Sequence, residues 1–153
     1  MPKRYWLMKT EPGTYSIGDL RKDGSTCWEG VRNYRARNLM REMAVGDAVL
    51  FYHSNAKPPG VAGIARVCAE AYPDHFAFDP SSRYYDPKSD REEPRWFMVD
   101  VEFLSKADDV LSLAHIKDEA SLADMELVRY GRLSVQAVKP REFAKVKKMA
   151  GLP

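Results

Sequence analysis

The residue types best suited to chemistry cluster in one stretch, Trp28-Glu-Gly-Val-Arg-Asn-Tyr-Arg-Ala-Arg-Asn38. The chemistry they suit is recognition. A tryptophan offers a flat face on which a base stacks, an interaction of about 1–3 kcal/mol per base. Asparagine presents a donor and an acceptor together, which matches a Watson–Crick edge. Arginine grips phosphate bidentately and also stacks on aromatic planes. The same residues would equally serve as a packed tryptophan and a solvated, arginine-coated helix. One detail favours binding. Tyr34, Arg37, Asn38 and Arg41 share a helix face without an interleaved acid, whereas a helix face built only for itself usually carries Glu–Lys or Glu–Arg pairs.

A second group is His53-Ser54-Asn55, which ends the apolar run Ala48-Val-Leu-Phe-Tyr-His53. Small polar side chains at a buried strand end can line a pocket or form an ordinary Asx or Ser turn. Catalytic signatures are missing. There is no G-x-x-x-x-G-K-[ST] or G-x-G-x-x-G loop, no H-E-x-x-H and no G-x-S-x-G elbow. His53, His75 and His115 are scattered, and Cys27 and Cys68 form no C-x-x-C pair, so neither a metal nor a cofactor is expected.

These residues need elements to hold them. Tyr5-Trp-Leu-Met-Lys9 reads as a first strand. Ser16 and Asp19 make a capping box for a short helix. Ala36, Leu39, Met40 and Met43 repeat at helical spacing, predicting a helix over 33–44 with an apolar inner face. Residues 48–53 read as a central strand buried on both faces, and 61–70 as the next, where Gly63 signals a close neighbour. Tyr72 to Pro94 is a long proline-punctuated loop whose aromatics argue for ordered packing. Phe97, Val99, Val101 and Phe103 alternate with polar residues as a half-exposed strand. Two short helices follow, around 113–117 and after a cap at Ser121 with Asp124. Leu133, Val135 and Ala137 alternate in a last strand, and Pro140 opens a closing helix. With no βαβ alternation and no internal repeat, the class is α+β: a curved mixed sheet of about five or six strands with short flanking helices. Trp6 and Trp96 read as core residues. The basic tract Lys139–Lys148 reads as a solvated helix face, with phosphate contact as the alternative.

The 153 residues amount to one ordinary domain. The net charge of +2 excludes a histone-like polycation and an acidic tail. It conceals local segregation. Arg32, Arg35, Arg37 and Arg41 stand without an acid in 31–41, while 70–93 carries seven acids against three bases. The chain lacks a leader pattern, and no apolar run approaches the ~20 residues that span a bilayer. A cytoplasmic protein is expected, or a nuclear one in a eukaryote, with no membrane partner.

Tyr5-Trp-Leu-Met-Lys-Thr-Glu-Pro12, the Trp28–Asn38 block, Leu50-Phe-Tyr-His-Ser-Asn55, Gly63-Ile-Ala65, Tyr84-Tyr-Asp-Pro87, Pro94-Arg-Trp-Phe-Met-Val-Asp-Val101 and Gly131-Arg-Leu-Ser-Val135 together resemble the EVE domain family from residue 5 to about residue 146. The resemblance implies a PUA-like pseudobarrel over 1–153. It also implies binding to nucleic acid that carries a modified cytosine or adenine, in DNA or RNA, by a monomer. In the similar YTH domains a tryptophan walls the base cage, and Trp28 matches it. Arg32, Asn33, Tyr34 and Asn38 match the family block after it. Ser54, Asn55 and Lys9 fall where related domains line the pocket. Tyr84, Tyr85 or Trp96 would supply a second aromatic wall, since YTH cages use more than one tryptophan. Arg32, Arg35, Arg37 and Arg41 would contact the backbone.

The resulting expectation is a reader of one flipped, modified base, with Trp28→Ala abolishing binding while sparing the fold. Two alternatives come from other classes. ASCH relatives that hydrolyse modified nucleosides use a Lys, a Thr and a carboxylate, types present in Lys9-Thr10-Glu11. A protein-interaction module would act through the acidic 70–93 loop.

Overall fold

The computed structural model describes residues 3–153. Among them are six strands, β1 (Tyr5–Thr10), β2 (Ser25–Cys27), β3 (Ala48–His53), β4 (Gly60–Pro73), β5 (Phe97–Ser112) and β6 (Val135–Val138). The helices are α1 (Ile17–Asp23), α2 (Tyr34–Glu42), α3 (Leu113–Asp118), α4 (Glu126–Arg129) and α5 (Pro140–Met149). All six strands form one sheet in the order β2-β5-β4-β3-β1-β6. Only β1 and β3 run parallel; every other neighbouring pair is antiparallel.

The apolar run 48–53 is buried at every position, as a central strand with both faces covered requires. Side chains alternate between faces. Trp6, Met8, Val49 and Phe51 pack with Ile17 and Leu20 of α1 and Ala36 and Met40 of α2. Leu7, Leu50 and Tyr52 pack on the opposite face with Ile116, Leu127, Phe143 and Val146 of α3, α4 and α5. Fully burying one such side chain contributes about 1.5–3 kcal/mol. The basic helix α5 therefore belongs to the second core, across the sheet from α1 and α2.

Long strands β4 and β5 pair through four register shifts. Bulges of this kind bend a sheet and increase its twist, which curls the sheet towards a barrel. Gly63 sits where the curl is tight: a Cβ there would lie 2.4 Å from the Ser105 carbonyl oxygen and 2.8 Å from Ile17. The glycine lets α1 close on the sheet.

Three local expectations need correction. Strand β5 continues nine residues past Phe103, because its second half pairs with the start of β4, Val61 opposite Leu111. Each bulge swaps the inward and outward positions, which erases the alternation. The short β2 carries too few residues for a pattern. No helix is capped by Ser121. Instead a 3-10 turn spans Ala120–Leu122 and α4 follows from Glu126, since burial of Leu122, Met125 and Leu127 outweighs the capping signal.

The other signals match the fold. Ser16 Oγ accepts from the Asp19 amide at 3.1 Å, and the Asp19 carboxylate accepts from the Ser16 amide at 2.9 Å. Pro140 occupies the first turn of α5.

Candidate functional site

One cavity of about 300 Å³ opens at the edge of the first core, at the small end of the range for ligand pockets. Five pieces of chain build it, one of them Ser134 just before β6. The end of β1 supplies Lys9 and Thr10, with Glu11 beyond it; β2 and its continuation supply Thr26, Cys27, Trp28 and Glu29. The end of β3 supplies Ser54, and the loop after the 3-10 turn His75–Phe78 supplies Arg83 and Tyr84.

Backbone pairing fixes these pieces. The Trp28 amide donates to the Val99 carbonyl at 2.8 Å, which extends the β2–β5 ladder by one residue. The Ser54 amide donates to the Thr10 carbonyl at 2.9 Å, bringing the ends of β1 and β3 together. Trp28 is 8 % exposed. It packs edge-on against Phe51, ring centroids 5.4 Å apart, so it is part of the core and part of the cavity wall at once.

Tyr84 is the second aromatic on the wall. Gly30 makes its position possible: the residue has φ +83°, and a Cβ would lie 2.4 Å from the Tyr84 ring. The Gly30 amide donates to Asp74 Oδ2 at 2.9 Å, and Arg32 Nη1 donates to the same oxygen at 3.0 Å. Arg32 Nη2 reaches the Tyr84 carbonyl at 2.7 Å. Asp74 is fully buried, and its other oxygen accepts from the Phe76 amide at 3.0 Å. A buried carboxylate persists only when paired and hydrogen-bonded. Asp74 thus ties the Gly30 turn, Arg32 and the 75–78 turn into one frame.

Several groups on the wall are protonically defined. Burial, with Glu29 beside it, pushes the Cys27 thiol up to about 11. Cys27 therefore holds its proton at neutral pH, donates weakly to Glu29 Oε2 at 3.5 Å, and is a poor nucleophile. Burial, together with a hydrogen bond to Asp23, pushes the Tyr15 hydroxyl up to about 12. Burial lowers the Lys9 ammonium from its ordinary value, although the amine is hydrogen-bonded to the Gly131 carbonyl. Among the described residues no three His, Cys, Asp or Glu side chains gather into a metal-binding group.

Of the expected site residues, Lys9, Trp28, Arg32, Ser54 and Tyr84 meet around this cavity. The others stand outside its wall. Asn33 caps α2, its side-chain oxygen accepting from the Ala36 amide at 3.0 Å. Asn38 accepts from Arg37 at 2.7 and 3.1 Å on the outer face of the same helix. Asn55, at φ 47°, donates to Glu11 at 2.7 Å and so braces a wall residue. Tyr85 is exposed on the outer loop. Trp96 is buried, donates to Asp86 Oδ2 at 2.7 Å and stacks on the exposed Tyr34, ring centroids 5.0 Å apart at 22°. For Tyr34 and Asn38 the reason is helical geometry: residues that share α2's outer face cannot also face a cavity lined by the strand leading into it.

The arginines divide in the same way. Arg32 is a strut. Arg35 lies 3.8 Å from Glu126, Arg37 is anchored on the Arg95 carbonyl at 2.9 Å, and Arg41 lies over Phe97. Arg83, at the mouth over Tyr84, was hidden in a loop whose net charge is acidic. Thr26 and Cys27 were missed because three-residue β2 carries no pattern. The triad Lys9, Thr10 and Glu11 all border the cavity.

A curved mixed sheet with an aromatic-walled cavity at its edge defines a PUA-like domain. The chain belongs to the EVE domain family, which it matches over residues 4–149. Thymocyte nuclear protein 1 of Homo sapiens is 40 % identical over 158 residues, covering 91 % of this chain and 70 % of that protein. A hypothetical protein from Leishmania major has the same fold at TM-score 0.95 and 50 % identity, covering 98 % of this chain and 96 % of that one. The human THYN1 protein, solved in complex with 5-methylcytosine containing DNA, superimposes at TM-score 0.91 with 38 % identity over 99 % of both chains. At the level of fold alone, the likeness extends to the Mmi1 YTH domain, at TM-score 0.53 and 11 % identity, covering 97 % of this chain and 78 % of that one.

Proposed function

We propose that this protein reads a modified cytosine in DNA by taking the flipped base into the cavity between Trp28 and Tyr84. The observation that carries the reading is the composition of that wall: the rings of Trp28, Tyr84 and Tyr15, with the carboxylates of Glu11 and Glu29 and several donors on the same wall. Cytosine's exocyclic amine is a donor that a carboxylate accepts, and we assign that role to Glu29 on the cavity wall. The ring's remaining acceptors suit Lys9, Thr26 or Ser54. Extruding a base costs a few kcal/mol, and stacking of about 1–3 kcal/mol per base offsets part of it. The human THYN1 complex with 5-methylcytosine containing DNA supports the choice of base and polymer. One chain builds the whole wall, which supports a reader that works as a monomer. It acts where DNA is, in the cytoplasm or, in a eukaryote, the nucleus.

The test is fluorescence anisotropy with duplexes that carry one 5-methylcytosine or one cytosine at the same position. Tighter binding of the modified duplex by the wild type, with both duplexes weakened in Glu29→Ala, is the expected result. Equal affinity of the wild type for both duplexes sinks the reading.

A further inference from the structure

Beyond the cavity wall, stacked rings and guanidinium groups continue. The Arg32 guanidinium lies 5.6 Å from the Tyr84 ring centroid and 5.4 Å from that of Trp96. Trp96 in turn stacks on Tyr34, and Arg37 lies 4.8 Å from the Tyr34 centroid. A continuous series of planes therefore runs from the cavity rim to the outside of α2: Tyr84, Arg32, Trp96, Tyr34, Arg37.

Each member is held. Trp96 is pinned by Asp86, Arg32 by Asp74 and the Tyr84 carbonyl, and Arg37 by the Arg95 carbonyl and Asn38. Tyr34 nevertheless remains 52 % exposed. A large aromatic left half in solvent while locked against a tryptophan has lost its rotamer freedom without gaining burial. That is the state of a preorganised contact surface.

From this series we infer that Tyr34 and Arg37 form a second nucleotide site, a shelf that takes the nucleotide next to the flipped base. The inference rests on the reading of the cavity given above. Charge and shape fix the occupant. The shelf is planar and its exposed charge is that of Arg37, because Asp86 is taken up by Trp96 and Arg95, and Glu42 by Arg4, so its partner is an anionic polymer with flat faces. The shelf is continuous with the cavity rim through Arg32, so that partner is the same strand. A neighbouring base, freed on one side when the target leaves the stack, meets Tyr34 and the Arg37 guanidinium plane, while its phosphate meets the arginine charge. The shelf reads no modification; it sets affinity and the position of the strand.

The experiment is a double-mutant cycle in DNA and protein. Duplexes that carry 5-methylcytosine are prepared with an abasic residue on the 5′ side, on the 3′ side, or on neither. Each is titrated against wild type, Tyr34→Ala and Tyr34→Trp. One abasic position is expected to weaken wild type about 5- to 150-fold, as loss of one stacked base does. Tyr34→Ala should bind the intact duplex that much more weakly and ignore the abasic residue. Tyr34→Trp should restore both affinity and sensitivity. All three proteins should keep the same ratio between modified and unmodified duplex. Equal abasic penalties in wild type and Tyr34→Ala on both sides overturn the shelf. Wild type with no preference for 5-methylcytosine, yet with a Tyr34-dependent abasic penalty, overturns the cavity reading and leaves the shelf standing. Absence of DNA binding overturns both.

Discussion

Arg32 Nη1 lies 3.0 Å from Asp74 Oδ2, and Asp74 is wholly buried while the arginine side chain is 24 % exposed. The two residues are 42 positions apart in the chain. Their pairing joins the turn that carries Trp28 to the loop that carries Tyr84. Removing one partner of a buried pair leaves an uncompensated group and costs about 3–5 kcal/mol. The partial exposure of Arg32 puts this pair at the lower end of that range. Asp74→Ala, which also strips acceptors from the Gly30 and Phe76 amides, is expected to lower the urea midpoint of unfolding clearly and to abolish DNA binding. Arg32→Ala should behave similarly, whereas a residue that only touched phosphate would leave the midpoint unchanged.

Gly30→Ala tests the cavity wall without altering charge. The added methyl must occupy the Tyr84 ring position and adopt φ +83°, a region that costs non-glycine residues about 1–3 kcal/mol. Tyr84 is expected to move out of the wall. Binding to modified DNA should fall at least tenfold. Far-UV circular dichroism should stay native and the thermal midpoint should drop by several degrees.

Trp28→Ala is a less clean probe than the sequence suggests. The ring is 8 % exposed and belongs to the first core with Phe51 and Met98. Truncating a buried Trp costs about 3–5 kcal/mol, which is a large part of a domain's total stability. Trp28→Ala is therefore expected to lose binding and stability together, in equilibrium denaturation and anisotropy alike. Trp28→Phe keeps an aromatic face at smaller cost. It should retain most of the stability and bind more weakly, with the modification preference preserved.

Trp28 shows why part of the site was legible and part was not. A tryptophan beside a glycine turn and a cationic helix is a local pattern, and so are the ends of β1 and β3 at Lys9 and Ser54. The framework of the site is non-local. Asp74 sits among the acids of 70–93, and its sequence neighbours say nothing of its burial, which depends on Gly30 and Arg32 arriving from another part of the chain. Arg83 carries the opposite charge to its loop. Asn33 reads as an edge-reading amide and is a helix cap, because a side chain that precedes a helix satisfies the helix first. The fold was more legible than the site. Two-sided burial of 48–53 and the helical repeat of α2 are strong short-range signals, while β2 and the second half of β5 are fixed only by pairing.

His53 gives a pH prediction. Its Nε2 accepts a hydrogen bond from the Ile17 amide at 3.1 Å, which requires that nitrogen to be unprotonated. Burial, then the nearby Lys106 charge, holds the imidazole below its ordinary value of 6.5. As pH falls, the unfolded chain takes up this proton first, so the folded state loses stability. The contribution is fully present above about 6.5 and declines below it, at no more than about 1.4 kcal/mol per pH unit, until the folded imidazole also protonates. Urea midpoints from pH 7.5 down to 5 should fall in wild type. His53→Gln, which still offers an acceptor to Ile17, should flatten that slope.

Salt dependence separates struts from phosphate contacts. Each phosphate neutralised changes the slope of log K against log salt by about 0.9 on duplex DNA. Arg32 spends its charge on Asp74, so it should add nothing to that slope even though its loss ruins the site. Arg83 stands at the cavity mouth, over Tyr84, with no salt bridge among the described residues. On α2, Arg41 is exposed, and Arg35 is paired only at 3.8 Å across a solvent-facing gap. With Arg37 on the shelf as the fourth, such contacts give a slope of about −3.6, consistent with a chain whose net charge is only +2. Arg83→Ala is expected to weaken modified and unmodified duplexes equally and to make the slope shallower by about 1, with the urea midpoint unchanged. If Arg83→Ala instead removed the preference for the modified base at constant slope, the arginine would be reading the base, and the division of labour between the cavity and its cationic rim would be wrong.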